Sequence, residues 1–323
     1  MVQTLLAVSA IVPSVLLVWY FHARDAYPEP ARVIWATFGF GVLAVIPVLA
    51  VGIPLHLAVA RIEHPVLASA LEAFFVAAIP EEFFKLVVLL FYCMRKEAFD
   101  EPMDGIVYGV VASLGFAALE NLLYVVDGGT GVAFSRAFTA VPLHAFLGAI
   151  MGYYVGQAWK NPARRTALIV RGYGIAVLLH GVYDFPLMTM NALEGEPELL
   201  LAAATLVVLL ISWSWAVRLS RGLRREQLAH MVTRVAPDGS AVMTAPTVRS
   251  RVIPVMQIAV GVISASMGGM VVFGLLLSFF LGIVAVDDTT DVVSGGVLIG
   301  VLPLVAGGLF FRYGVRGLNN RGI

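Results

Sequence analysis

Charge is scarce in this chain. Asp, Glu, Lys and Arg make up 13% of the 323 residues and hydrophobic types 60%, and the mean hydropathy of +0.90 lies outside the range of a soluble domain, where about a quarter of residues are charged. Lipid is therefore the solvent for most of the chain. The 21 basic and 21 acidic residues cancel, so no net positive field points to nucleic acid. Cysteine is almost missing: Cys93 stands alone, which excludes an internal disulfide and any zinc cage built from several thiolates. The apolar N-terminal stretch, residues 2–21, has no basic residues ahead of it and no clear small-residue cleavage site before His22, and it ends in the interfacial aromatics Trp19 and Tyr20. It is expected to stay as a first membrane span, not to be removed as a secretory signal.

Long apolar runs are what the chain has in excess. A helix needs roughly 20 mostly apolar residues to cross about 30 Å of hydrocarbon. Nine stretches qualify: residues 2–21, 33–58, 65–94, 105–126, 137–159, 167–190, 199–217, 252–286 and 293–311. Pro80 interrupts the third immediately before two glutamates, where a kink or break is expected. Lys and Arg concentrate in alternate loops, with Arg95 and Lys96 in one, Lys160, Arg164 and Arg165 in another, and seven arginines between 218 and 251. The opposite loops are poor in bases, and Arg61 and Arg136 are the only ones near that side. The positive-inside bias then predicts an all-α polytopic protein of about nine transmembrane helices, N-out and C-in. Residues 1–219 form a seven-helix core, 220–251 a basic cytoplasmic linker, and 252–323 a C-terminal transmembrane hairpin. Within the linker, Met231–Val235 and Ala241–Thr244 flank the turn signal Ala236-Pro237-Asp238-Gly239 and are compatible with a small hairpin.

Spans three to six break the apolar pattern. Each charged residue near a bilayer centre costs ~2.5–3.5 kcal/mol on insertion scales, yet these four spans contain Glu81, Glu82, Lys85, Glu120, His144, His180 and Asp184. Successive spans supplying such groups predict a site between packed helices. Lys85 is i+4 from Glu81 and i+3 from Glu82, so it can neutralise either. Two adjacent carboxylates disfavour each other's ionisation, which suits one as base and one as acid. Glu120 and Asn121 interrupt the fourth span. His144 lies on the same helical face as Gly148, Gly152 and Gly156, a small-residue ridge that turns the imidazole toward protein and away from lipid. His180 and Asp184 are i, i+4, so the aspartate can orient the ring. There is no His-Glu-x-x-His, no Gly-x-Gly-Asp partner for Tyr183-Asp184 and no Gly-x-Ser-x-Gly element.

The run Glu81-Glu82-Phe83-Phe84-Lys85, the element Phe116–Asn121, the intramembrane His144 and the pair His180…Asp184 together resemble the motif set of PrsW-type intramembrane proteases, over about residues 65–190. The arrangement is also similar to that of CAAX prenyl endopeptidases, but their paired glutamates are typically followed by an arginine one residue later than Lys85, which favours the PrsW branch. The resemblance implies hydrolysis of peptide bonds in or beside a bacterial cytoplasmic membrane, with membrane proteins or membrane-proximal peptides as substrates and anti-sigma factors among them. In a glutamate-based mechanism Glu81 or Glu82 takes a proton from water, and His144, His180 and Asp184 place that water or stabilise the oxyanion. In a metal-based one Glu120, His144 and His180 hold zinc with an open position for water. The glutamate-based version is the expectation here, and the sequence alone fixes no cofactor. A proton-coupled transporter using the same acids and histidines is the rival class, although no inverted repeat supports it.

The charge alternation is checked by cysteine-accessibility labelling in a Cys93→Ala background. Single cysteines within 194–198 are expected to react from the outside and those within 220–251 from the cytoplasm. Labelling of both from one side would show that the apolar run 199–217 does not cross.

Overall fold

The computed structural model describes residues 2–23, 25–192 and 198–232. The chain divides into two units, residues 1–194 with 204–242 and residues 195–203 with 243–323. In the second only 198–203 are described, as the opening of a helix. The expected eighth and ninth spans, and residues 233–251 of the expected linker, lie outside the described residues.

Every regular element among the described residues is helical: α1 (Val2–His22), α2 (Ala31–Leu43), α3 (Val45–Val59), α4 (Pro65–Leu71), α5 (Ile79–Phe91), α6 (Pro102–Phe138), α7 (Ala140–Lys160), α8 (Arg165–Ala192) and α9 (Glu198–Val232). Five segments are long and apolar enough to cross a membrane: Ala31–Val59, Pro102–Tyr124, Ser135–Lys160, Pro162–Met190 and Leu200–Ala229. The expected multi-span, all-helical class is present at that level.

Proline explains the break in the first of these. Pro47 has no N–H to reach the carbonyl of Leu43, and α2 gives way to α3 at Ala44. The third expected span is broken as its proline implies, but upstream of it. Between α4 and α5 lies a seven-residue π-helical segment, Glu72–Ala78, and Pro80 stands at the first turn of α5, where its missing N–H costs nothing. A π segment inserts extra residues into the helical register and turns the following side chains to a new face.

Two helices run past their expected ends. The sequence places a loop between spans four and five, whereas α6 is helical through all 37 residues to Phe138. If straight it would be about 55 Å long at 1.5 Å per residue. It is not straight, because Glu120 and Arg136, about 24 Å apart on a straight helix, form an ion pair at 2.8 Å. The axis therefore turns back between them, over a stretch that includes Asp127-Gly128-Gly129-Thr130-Gly131. The chain reverses where a loop was expected while keeping helical hydrogen bonding. Similarly α9 continues through 220–232, including the first two residues of the expected strand Met231–Val235. Ala216, Ser220, Leu223 and Gln227 recur every three or four residues and are all buried, which gives that charged stretch one helical face to pack.

The core is centred on α6, which packs on α1, α2, α5 and α7. Its contact with α7 is backbone against backbone. A Cβ on Gly148 or Gly152 would run into the carbonyl of Gly109 or Gly105, and one on Gly156 into the carbonyl of Pro102. The ridge read from the sequence thus seats α7 on α6, and His144, one turn before it, is 2% exposed.

Gly152→Val is expected to destabilise the protein by about 1–3 kcal/mol through forced separation of the two helices, while Gly39→Ala, with open space around its Cβ position, changes little. Thermal unfolding in detergent, followed by a thiol-reactive dye that reaches buried Cys93 only on unfolding, checks both.

Candidate active site

The π segment and Pro80 deliver the first turns of α5 to the protein interior. Glu82 and Lys85 are fully buried and Glu81 is 8% exposed. Tyr173 of α8 fixes this entry by donating its hydroxyl to the carbonyl of Ile79 at 3.0 Å. Lys85 Nζ lies 2.7 Å from Glu82 Oε1, 3.4 Å from Glu81 Oε2 and 2.9 Å from His144 Nδ1. The ammonium also sits 4.4 Å from the centre of the Phe116 ring, whose edge packs against His144.

Hydrogen-bond chemistry then assigns the protons. Lys85 has only donors to offer, so His144 Nδ1 accepts, and its Nε2–H donates to Glu120 Oε2 at 2.9 Å. His180 has a carboxylate at each nitrogen, Glu82 Oε1 2.9 Å from Nδ1 and Asp184 Oδ2 3.1 Å from Nε2, with Glu81 Oε2 at 3.8 Å. With both near partners ionised, both nitrogens donate and the ring is an imidazolium. Glu120 is held in turn by Arg136, whose Nη2 is 2.8 Å away, whose Nε donates to Asn121 Oδ1 at 3.1 Å, and whose guanidinium lies over the Tyr124 ring.

All seven residues singled out by sequence therefore meet in one network. Arg136 joins it unannounced. In the sequence it reads as a base beside a loop; the signal that could have found it is a lone cation on a base-poor side, facing an unneutralised Glu120 one span away.

One oxygen of Glu81 and of Glu82 and one nitrogen of His144 and of His180 all lie within 4.8 Å of one another. Two imidazoles with carboxylates are the donor types of a catalytic zinc site. Glu82 Oε2 is shut away from solvent and has no partner, and four carboxylates face three cations, Lys85, Arg136 and the His180 imidazolium. A buried orphan oxygen and an uncancelled negative charge fit a bound divalent ion, which would take the place of the proton on the coordinating nitrogen of His180. The metal-compatible group differs from the expected Glu120, His144, His180 set: Glu120 sits outside it, behind His144.

Residues 29–215 match the family described as PrsW family intramembrane metalloprotease. The chain is 39% identical over 181 residues to Protease PrsW of Geobacillus kaustophilus, covering 56% of this chain and 78% of that protein. It is 35% identical over 213 residues to Protease PrsW of Oceanobacillus iheyensis, covering 66% and 92%, and 35% identical over 185 residues to Protease PrsW of Bacillus subtilis, covering 57% and 83%. No solved structure matches. A match over more than half the chain, onto the helices that carry the buried glutamates and histidines, decides between the enzyme and the transporter: the chain belongs to the PrsW family of intramembrane proteases.

Proposed function

We propose that this chain hydrolyses a peptide bond of a membrane-anchored substrate of the anti-sigma-factor type, in a bacterial cytoplasmic membrane, with Glu81 as the general base. The observation that supports Glu81 over its neighbour is the difference in their restraint. Glu82 is fully enclosed and clamped between Lys85 and His180, whereas Glu81 is the more accessible carboxylate and has only the longer contacts, 3.4 Å to Lys85 and 3.8 Å to His180. Glu81 takes a proton from a water placed between it and the scissile carbonyl and passes it to the leaving amine. The positive charges of the His180 imidazolium and the Lys85 ammonium stabilise the oxyanion that develops in this low-dielectric setting. Glu82 and Asp184 hold His180 in orientation, and Glu120 does so for His144. If a divalent metal is bound, Glu81, Glu82, His144 and His180 are the residues that would hold it, and it would supply Lewis acidity and an activated water.

Glu81→Gln is expected to lower cleavage of a reconstituted single-span substrate by about 100-fold or more, the usual scale for losing a general base, with Glu82→Gln also strongly impaired and both proteins inserted normally. Normal cleavage by both would overturn the proposal. Elemental analysis before and after chelator treatment, with the same cleavage assay, separates the two chemistries: metal lost together with activity marks the metal as essential, and activity that survives its loss marks a glutamate mechanism.

Arg136 acts through Glu120 and is a positioning residue. Arg136→Gln should reduce kcat by about tenfold or more, as loss of outer-shell partners does, with KM nearly unchanged. Arg136→Lys is expected to recover only part, because an ammonium keeps the charge but loses the fork that spans Glu120 and Asn121.

A further inference from the structure

A second set of buried acids lies where the link between α1 and α2 meets the start of α6. Asp25 and Glu29 come from the link and Asp104 from the first turn of α6, and one oxygen from each lies within 4.8 Å of the others. They are 5%, 7% and 0% exposed. The surrounding contacts hold these groups in place without cancelling their charge. Asp104 Oδ2 receives the amides of Asp100 and Glu101 at 2.8 and 2.7 Å as part of the capping box that starts α6. Asp25 Oδ1 receives Gln227 Nε2 of α9 at 2.7 Å, and the same amide group donates to Glu101. The Tyr108 hydroxyl donates to Glu29.

Two oxygens are left over. Asp25 Oδ2 and Asp104 Oδ1 are both sealed from solvent and have no hydrogen-bond partner. Among the described residues no lysine or arginine ion pair to any of the three acids is present, and Arg224 exerts a coulombic pull on Asp25. A single shared proton satisfies one pair of oxygens; a divalent ion satisfies three carboxylates at once.

We propose that Asp25, Glu29 and Asp104 bind one hard divalent cation, Ca2+ or Mg2+, at a site separate from the glutamate–histidine centre. The donors are all oxygens, with none of the imidazole or thiolate that selects zinc. Their spread is within the roughly 5 Å that separates oxygens on opposite sides of a Ca2+ ion with bonds of about 2.3–2.6 Å. Bound there, the ion fastens the α1–α2 link to the head of α6 at the place where Gln227 of α9 also docks. The inference does not rest on the protease chemistry.

The test uses the full chain in detergent, stripped with chelator and titrated separately with CaCl2 and MgCl2 while heat release and thermal unfolding are recorded. One ion per chain is expected, with the unfolding midpoint rising as binding saturates. Glu29→Gln and Asp25→Asn should each weaken binding about tenfold or more, since charge count sets the affinity of such sites. The double variant Glu81→Gln/Glu82→Gln should leave binding intact. Asp104→Asn is informative if it folds, and the other two decide the matter if it does not. Absence of binding by either ion up to about 10 mM, roughly tenfold beyond the weak end for such sites, would mean protons balance the charge and would overturn the proposal. So would binding that persists in both Glu29→Gln and Asp25→Asn, or that disappears in the Glu81/Glu82 double variant.

Discussion

An ammonium group with no route to water must find an acceptor for each of its hydrogens, and the arrangement of this protein follows from how Lys85 does so. It has three N–H donors and three partners, Glu81, Glu82 and His144. Removing water from a cation costs several kcal/mol, which is recovered only when geometry and hydrogen bonding are both good. Two of the acceptors come from its own helix, about one turn back. The third comes from α7, so α5 and α7 cannot be placed independently. Fixing His144 Nδ1 as an acceptor fixes the other nitrogen as a donor, which calls for Glu120, and Glu120 calls for Arg136. The same demand satisfied from the other side brings in His180 and Asp184.

The helices have to be shaped to permit this. A regular helix from 65 to 91 would not turn aside at Glu72; the π segment there and Pro80 behind it set the face on which the two glutamates emerge. The reversal within α6 serves the same end, since it carries a guanidinium back over four turns of helix to meet a carboxylate. In both places the backbone departs from a straight α-helix beside the buried charged network, and in both the hydrogen bonding stays within the chain, as a segment at membrane depth requires.

Much of this could be read from residue spacing. Glu81, Glu82 and Lys85 sit at helical intervals that permit only one relation, His180 and Asp184 likewise, and the glycines after His144 mark a packing face whatever they pack against. Apolar length alone located α2 with α3, α7 and α8 to within a few residues. The continuation of α6 through Asp127–Gly131 was not legible, because three glycines in five residues read locally as a turn. Nor was the end of α9, where arginines hide a buried stripe of Ser220, Leu223 and Gln227. Arg136 escaped for a related reason: its partner is distant in sequence along the helix and becomes near only after a bend that no local signal announces. The match to the PrsW family supplied what spacing could not, the class of reaction.

The seam between α6 and α7 has a further consequence for how the helices can move against one another. Where carbonyls of one helix lie against the α-carbons of the other, there are no side chains to swing aside and no slack to take up; the pair is a wall. Between α5 and α8 the contact is instead made by side chains that can change rotamer, such as the rings of Phe83 and Tyr173, so displacement there meets less steric resistance than along the glycine seam.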